Sequence, residues 1–195
     1  MSRRRGLDQA AVVAAAADLI NREGSEALSL TRLAQALGVQ PPSLYNHVDG
    51  LPALLDALTR ENSQRMAECL TAAAVGRSGR TAVHAVAGAY RGYIKANPGL
   101  YPLGLRPAHA VTPVDPVRAA ADERTVAVAV AVMNSCGLQG DDALHAVRGL
   151  RSIVHGFASL ELAGGFGLPL DLDESFRRLV TQFAESLFTD SEVHP

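Results

Sequence analysis

Residues 30–47 read LTRLAQALGVQPPSLYNH, and this stretch decides how the N-terminal part of the chain folds. Its leucines and alanines recur three and four residues apart, as in a helix with one buried face. Gly38 suits the left-handed conformation in which helices often end, and Pro41 and Pro42 suit the first turn of a second helix. Two short helices joined by a tight glycine turn are the layout of a helix-turn-helix. A generic helical hairpin is the alternative interpretation.

Residues 7–58 resemble the DNA-binding head of the tetracycline-repressor (TetR) family of bacterial transcription regulators. The resemblance rests on residues at fixed spacing, namely Ala34, Leu37, Gly38, Val39, Leu44, Tyr45, His47 and Val48. It implies a three-helix head in residues 1–50 on a larger helical body, residues 51–195, which binds an effector and dimerises. Leu51 stands where the family usually has a lysine, so we expect the phosphate contact of that lysine to be absent or supplied by another residue.

Residues 142–188 resemble a C-terminal domain type of the same family, named WHG after a Trp-His-Gly motif. The corresponding residues here are Val154, His155 and Gly156, so the tryptophan is missing. Residues 160–169 continue the resemblance. Residues 76–140 carry no motif, and the ligand-binding part of the body is expected there.

Composition and charge fit such a regulator without identifying one. The 195 residues are 48% hydrophobic and 5% aromatic, so alanine, valine and leucine must fill most of the core. The net charge is -2, and any attraction to DNA must therefore come from the local placement of arginines. Lys95 is the one lysine among 18 basic residues. The excess of arginine suits phosphate contacts, but a GC-rich genome would produce it as well.

The cysteines and the apolar segments indicate a soluble, cytoplasmic protein. Cys69 and Cys136 lie far apart without metal-binding spacing, which predicts free thiols in a reducing compartment. The N-terminus lacks the hydrophobic core of a signal peptide. The uncharged residues 125–140 are fewer than the ~20 that span a bilayer, and they predict a buried helix. We expect no metal ion, no cofactor and no membrane segment.

Helical patterns cover most of the chain and predict an all-α fold. In residues 126–132 valine alternates with alanine as in a strand, but the alanine content, the length and the helical context favour a helix. Residues 100–112 are expected to be irregular. The predicted helices are 7–22, a short pair within 30–48, 51–75, 81–97, 113–136, 141–163 and 173–188.

The predicted DNA-binding residues lie in a basic tip, at the start of the second helix and in the recognition helix. Arginines in a tip can follow the DNA backbone or enter a minor groove; a solvated terminus is the alternative. Glutamine and asparagine can pair with adenine, whereas tyrosine and histidine more often contact phosphate. The candidates are Arg3, Arg4, Arg5, Ser29, Thr31, Gln40, Pro41, Ser43, Tyr45, Asn46 and His47.

A polar stripe on the helix at 141–163 runs through His145, Arg148, Ser152, His155 and Ser159. The stripe either faces solvent or borders a ligand pocket or a subunit interface. Together with side chains of the middle helices, part of it would line a mostly apolar pocket for a lipophilic effector. The ligand-binding candidates are Tyr90, Tyr93, Tyr101, Arg106, His109, Met133, Cys136, Arg148, Ser152 and His155.

Apolar stripes on the last two predicted helices indicate a four-helix dimer interface. Its candidates are Phe157, Leu160, Phe176, Leu179, Val180, Phe183 and Leu187. A dimer would place two heads ~34–36 Å apart on one face of a palindromic double-stranded operator.

We predict a sequence-specific transcriptional regulator, most simply a repressor that a small lipophilic effector releases from its operator. The alternative is a ligand-binding or protein-interaction module whose helix-turn-helix no longer binds DNA. Enzymatic activity is not expected. Ser152 and His155 lie one helical turn apart, but neither a third catalytic group nor an oxyanion hole accompanies them.

Overall fold

The computed structural model describes residues 7–105 and 114–188, and the regular elements in these residues are helices. The predicted all-α fold is confirmed. The chain forms α1 (Gln9–Glu23), α2 (Leu30–Leu37), α3 (Pro41–Leu44), α4 (Gly50–Ala74), α5 (Gly79–Ala96), α6 (Pro116–Asn134), α7 (Gly140–Leu162) and α8 (Leu172–Ser186). Short 3-10 turns lie at Ser25–Ala27 and Tyr101–Gly104.

The chain divides into two compact units. The described residues of Met1–Ser63 and Asn97–Ala119 form one, which we call the head unit, and those of Gln64–Ala96 and Ala120–Pro195 form the other, the body unit. The division falls inside α4 and inside α6. The assignment of DNA binding to residues 1–50, and of effector binding and dimerisation to residues 51–195, stays a prediction.

The head unit has its own apolar core. The inner face of α1 contributes Val12, Ala16 and Ile20 to it, and all three are fully buried. Leu33 of α2, Leu44 of α3 and the leucines at positions 54 and 58 of α4 close the core from the other side. The helix-turn-helix therefore packs on α1 and on the first half of α4.

The segment that follows α5 belongs to this core as well. The Asn21 side chain accepts hydrogen bonds from the backbone N–H groups of Gly99 (3.1 Å) and Leu100 (2.9 Å). Leu100 is fully buried in the head core. A Cβ at Gly99 would overlap the backbone carbonyl of Ile20, so the chain can approach α1 this closely only with glycine at that position.

In the body unit, α5 packs against α7 and α8. An ion cluster fastens the three helices together. Arg91 of α5 donates to Glu161 of α7 and to Asp173 of α8, each at 2.7 Å. Its buried guanidinium also lies over the rings of Phe157 (5.3 Å) and Phe176 (4.8 Å).

α6 confirms one prediction and corrects another. The alternating valines and alanines are helical, as predicted, and the strand alternative is wrong. The expectation that this uncharged segment is buried is only partly right. Val132 and Met133 are buried, but Val126 is 48% exposed and Ala131 is exposed. Residues 126–133 of this helix are all apolar, and the described part of the protein leaves several of them exposed or half-buried. Among the described residues, no helix has the length and apolar character that a membrane span requires.

Candidate nucleic-acid interface

Ser29 fixes the beginning of α2. Its hydroxyl oxygen accepts a hydrogen bond from the backbone N–H of Arg32 at 3.1 Å, which is the geometry of an N-cap. Serine is a favoured N-cap residue, and Ser29 therefore both begins the helix and stands among the predicted DNA-binding residues. Thr31 lies in the exposed first turn of the helix. Both predicted phosphate contacts therefore lie at the positive N-terminal end of α2.

Gly38 ends α2 in the left-handed conformation, at φ 67°, as predicted. The next residue, Val39, donates its backbone N–H to the carbonyl of Ala34 at 3.0 Å. Its half-buried side chain packs against the head core. These contacts fix the direction in which the chain leaves α2 and enters the recognition segment.

The recognition segment is a shorter helix than the sequence suggests. Only Pro41–Leu44 is α-helical, and residues 45–47 continue it as a turn. Two hydrogen bonds to the carbonyl of Leu44, from the N–H groups of His47 (2.9 Å) and Val48 (3.0 Å), keep the turn compact. Leu44 and Val48 are buried in the head core, so these two side chains hold the segment on the head.

The outward side of this segment offers several of the predicted contact residues to solvent. Tyr45 is 60% exposed, which is unusual for a large aromatic side chain. Gln40 and Asn46 are exposed, and Pro41, Ser43 and His47 are half-buried. The predicted residues of the recognition segment are thus at least partly accessible to solvent, on a short helix and turn that pack against α2.

Arg32 is an additional cation at this surface that the sequence analysis missed. It lies in the first turn of α2, and its guanidinium forms a two-pronged ion pair with Glu23 at distances of 3.0–3.2 Å. The signal that would have found it is its position three residues after the capping serine. Because Glu23 holds this charge, a DNA phosphate would have to compete with a carboxylate for it.

Leu51, the departure from the family pattern, is half-buried and packs against the head core. It supplies apolar contact where the family usually has a charge. The predicted DNA-binding residues Arg3, Arg4 and Arg5 lie outside the described residues, as do the predicted ligand-binding residues Arg106 and His109.

The other ligand-binding candidates have mixed surroundings. Arg148 and Ser152 are exposed, whereas Tyr90 and His155 are half-buried. The buried candidates are Tyr93, Tyr101, Met133 and Cys136. Tyr101 belongs to the head unit and the rest of these to the body unit.

A cavity of about 220 Å³ opens to solvent between α4 and α6 of the body unit. Of the predicted ligand-binding residues that the structure describes, none lines it. Its walls are Thr71, Ala74, Val75, Arg77, Val128, Ala131 and Val132. Arg77 donates to the carbonyls of Ala73 (3.0 Å) and Val75 (3.4 Å), so it serves as a cap on the C-terminal end of α4.

Most of the predicted dimer residues are already used inside the protomer. Phe157, Phe176 and Val180 are buried. The Phe183 ring fills the space beside Gly149, where a Cβ would lie 3.1 Å from it. Leu160 is exposed, and the leucines at positions 179 and 187 are half-buried. Phe183 is half-buried as well, so Leu160 is the one of the seven candidates that is exposed.

The cysteines and acidic residues form no metal site in residues 7–105 and 114–188, since no group of three or more His, Cys, Asp or Glu side chains there could hold an ion. Cys69 and Cys136 are free thiols. Burial raises the pKa of both, which keeps them protonated and unreactive near neutral pH.

Comparison with known proteins decides the family. Residues 12–58 match the model of the tetR family of bacterial regulatory proteins, and residues 83–183 match a tetracyclin repressor-like C-terminal domain. The chain is 31% identical to the HTH-type transcriptional regulator YobS of Bacillus subtilis, over 98% of each chain. This protein belongs to the TetR family. The HTH-type transcriptional regulator Rv0681 of Mycobacterium tuberculosis is a further relative, 34% identical over 93% of this chain and 82% of its own.

A solved structure of a TetR variant from Acinetobacter baumannii AYE, in complex with minocycline, has the same fold. Its TM-score is 0.66 at 25% identity, and the match covers 92% of this chain and 96% of the other. The predicted TetR resemblance is therefore confirmed, and the chain is a helix-turn-helix transcriptional regulator. Its relatives are transcriptional regulators rather than enzymes. The finer resemblance to the WHG type stays a prediction.

Proposed function

We propose that this TetR-family regulator is a repressor that binds a palindromic double-stranded operator as a homodimer and is released by a small lipophilic effector. The observation that carries the proposal is the geometry of the helix-turn-helix. Ser29 caps α2, Gly38 turns the chain, and Tyr45 projects into solvent from the recognition segment. A transcriptional repressor acts where the DNA is, which in a bacterium is the cytoplasm.

The candidate contacts divide into residues that position the head and residues that read bases. Ser29 and Thr31 suit a phosphate at the N-terminus of α2, and Tyr45 and His47 suit phosphates beside the recognition segment. Gln40, Pro41, Ser43 and Asn46 would face base edges or a thymine methyl group. Arg3, Arg4 and Arg5 would follow the backbone or enter the adjacent minor groove.

A homodimer would bind a specific DNA site, which one head alone contacts too little to select. The head presents only a few side chains to DNA, and helix-turn-helix proteins reach specific sites by placing two recognition helices in successive major grooves. The two-fold symmetry of such a dimer is the reason to expect a palindromic operator.

Effector release would couple two binding events in one chain. The neighbouring structure from Acinetobacter baumannii contains minocycline, which supports a small-molecule site in the body of this protein. The residues of this site would come from the predicted ligand-binding set, which includes Tyr90, Tyr93, Met133 and His155. A coupling free energy of ~1–3 kcal/mol between the effector site and the operator site is typical of such systems. The coupling is reciprocal: the factor by which the effector lowers the affinity for the operator equals the factor by which the operator lowers the affinity for the effector.

Selection from a random double-stranded DNA library tests the proposal. The purified protein is incubated with the library at low salt, and bound molecules are sequenced over several rounds. We expect enrichment of a palindrome with half-sites about one helical turn apart. A library that shows no enriched sequence would contradict operator binding. Gel shifts with the selected site and candidate lipophilic compounds then test release.

The alternative is a module that has lost DNA binding. Two observations favour it: Leu51 packs into the core instead of offering a cation, and Glu23 holds Arg32. Salt titration separates the two functions, because phosphate contacts make DNA affinity fall steeply with salt. For a regulator, the logarithm of the DNA affinity should fall with the logarithm of the salt concentration, with a slope that corresponds to several phosphate contacts. A module without a DNA interface should show no such binding at any salt concentration.

A further inference from the structure

The cavity between α4 and α6 is formed by one face of each helix. On α4 and just after its end, the lining residues follow the spacing i, i+3, i+4: Thr71, Ala74 and Val75. The lining residues of α6 follow the same spacing: Val128, Ala131 and Val132. Residues at this spacing share one face of a helix. The two faces therefore enclose a groove of about 220 Å³ within the body unit.

The walls of this cavity are mostly apolar, and the protein covers them only in part. Val75 is 68% exposed, Ala131 is exposed and Val128 is half-buried. The Thr71 hydroxyl donates to the carbonyl of Ala67 at 2.7 Å, so its proton is already used. Covering apolar surface that is in contact with water is favourable. The walls therefore favour a ligand with an apolar part.

Arg77 is the one charged side chain among the described residues that line the cavity. Its Nη1 atom donates to the carbonyls of Ala73 and Val75 and so caps the negative end of α4. In the described part of the chain, no acceptor or acidic side chain contacts its Nε and Nη2 atoms. This edge of a guanidinium matches the two oxygens of a carboxylate. Arg77 therefore favours an anionic group on the ligand.

The volume of the cavity limits the size of the ligand. Sites for drug-sized molecules typically have volumes of ~300–1,000 Å³, and this cavity is smaller. It also opens to solvent, so a ligand can enter without a rearrangement of the helices. A single alkyl chain that lies along the apolar face of α6 suits such a cavity better than a large ring system.

We propose that the cavity between α4 and α6 binds an aliphatic carboxylate. The alkyl chain packs on Val128, Ala131 and Val132, and the carboxylate accepts hydrogen bonds from Nε and Nη2 of Arg77. This site includes no described residue of the ligand-binding set predicted from the sequence, so it goes beyond the proposed effector site. Binding at this site requires neither DNA nor a second copy of the chain.

Isothermal titration calorimetry of the full chain without DNA tests the inference. Octanoate is the probe, and octanol, with the same chain and no charge, is its neutral counterpart. Wild-type protein should bind octanoate about tenfold more tightly than octanol, because only the carboxylate forms charged hydrogen bonds with the guanidinium. Hexanoate, which is two methylene groups shorter, should bind about tenfold more weakly than octanoate.

Two substitutions examine the two ends of the ligand. Arg77→Gln should weaken octanoate binding about tenfold and change octanol binding little. Arg178→Gln is its control, because it removes the same charge from an exposed position on α8.

Ala131→Phe places a ring in the cavity and should weaken the binding of both ligands at least tenfold, since the ring occupies the space of the alkyl chain. Ala127→Phe is the matched control: this exposed alanine lies one turn earlier on α6 and does not line the cavity. Circular dichroism checks that each variant keeps its helical content, and Ala131→Leu replaces Ala131→Phe if that variant does not fold.

Three results would overturn the inference. The first is a wild-type protein that does not bind octanoate, and the second is equal binding of octanoate by wild type and Ala131→Phe. The third is an equal loss of octanoate and octanol affinity in Arg77→Gln, which would mean that Arg77 only caps α4. Because DNA is absent from these titrations, such results leave the proposed operator binding untouched, and a failed selection of an operator leaves this site untouched.

Discussion

At the scale of single residues, a few side chains at the ends of helices determine where the helix-turn-helix points. Ser29 begins α2 and Gly38 ends it, and both roles follow from local chemistry that the sequence displays. Gly99 acts at the same scale but through a contact that no local pattern reveals, because its neighbour Ile20 lies 79 positions earlier in the chain. Residue-level prediction therefore succeeds where the partner is close in sequence.

Gly99→Ala should destabilise the head unit by about 3 kcal/mol, because the added methyl group overlaps the backbone carbonyl of Ile20 and neither chain can yield cheaply. Urea unfolding measures the change. Gly88→Ala is the control: this glycine lies within α5 with open space around it, and alanine there should be neutral or slightly stabilising. Equal stability of the two variants would show that the 97–104 segment does not pack on α1 as described.

Tyr45→Ala should weaken DNA binding about tenfold without changing the thermal stability of the protein. The side chain is mostly exposed, so the head core does not depend on it, while a lost phosphate hydrogen bond is worth about 1.4 kcal/mol. Gel shifts with a selected operator and thermal unfolding provide the two measurements. Tyr45→Phe separates the hydroxyl from the ring. Unaltered affinity in the alanine variant would remove Tyr45 from the interface.

Glu23→Gln should strengthen DNA binding about threefold at low salt, since it frees Arg32 from an exposed ion pair of modest strength. Glu26→Gln is a matched control that removes the same charge from the exposed 3-10 turn nearby. Fluorescence anisotropy with labelled operator measures both. If the two variants strengthen binding equally, the effect is one of net charge, and Arg32 has no particular role.

At the scale of helices, the periodicity of apolar residues locates each helix but does not show which other elements pack against its faces. The long predicted helices at 51–75, 81–97, 141–163 and 173–188 correspond closely to α4, α5, α7 and α8. α6 shows the limit, because its residues 126–133 are all apolar and their pattern gives no sign of which face is covered. The helix of the recognition segment is shorter than predicted. Residues 45–47 form a turn instead, in which the carbonyl of Leu44 accepts hydrogen bonds from the N–H groups of His47 and Val48.

Arg91→Met should destabilise the protein by about 3 kcal/mol, because it removes the buried guanidinium and leaves the half-buried Glu161 with Lys95 as its remaining partner in the cluster. Urea unfolding at neutral pH measures the loss. Arg178→Met is the control: its ion pair with Glu174 is exposed, and its removal should change the stability little. A loss of the same size in both variants would contradict a buried, stabilising cluster.

The same ion cluster predicts that the stability of the folded protein depends on pH. Hydrogen bonds from Arg91 hold the pKa of Glu161 below its ordinary value. A carboxyl with a lowered pKa contributes stability above its unfolded-state pKa of ~4.3, and that contribution is lost as pH falls through the folded-state value. The difference in stability between wild type and Arg91→Met should therefore shrink below about pH 4. A difference that stays constant down to pH 3 would show that packing rather than charge accounts for it.

At the scale of the whole molecule, the chain crosses between its units more often than a simple head-and-body plan implies. The described residues of Asn97–Ala119 return to the head unit after α5, although the sequence analysis assigns them to the body. The returning segment is held by Asn21, an unremarkable residue near the end of α1. Long-range pairs of this kind, like Arg91 with Glu161, carry no signature in spacing or composition, which is why the arrangement within the units could not be predicted.

The most direct test of a dimeric, operator-binding regulator is the mass of its complex with DNA. Native mass spectrometry would compare the selected palindrome with a duplex that carries only one half-site, at equal protein concentration and low salt. We expect two chains on the palindrome and much weaker binding to the half-site. One chain bound to each duplex with equal affinity would contradict the account, because the second head would then contribute nothing.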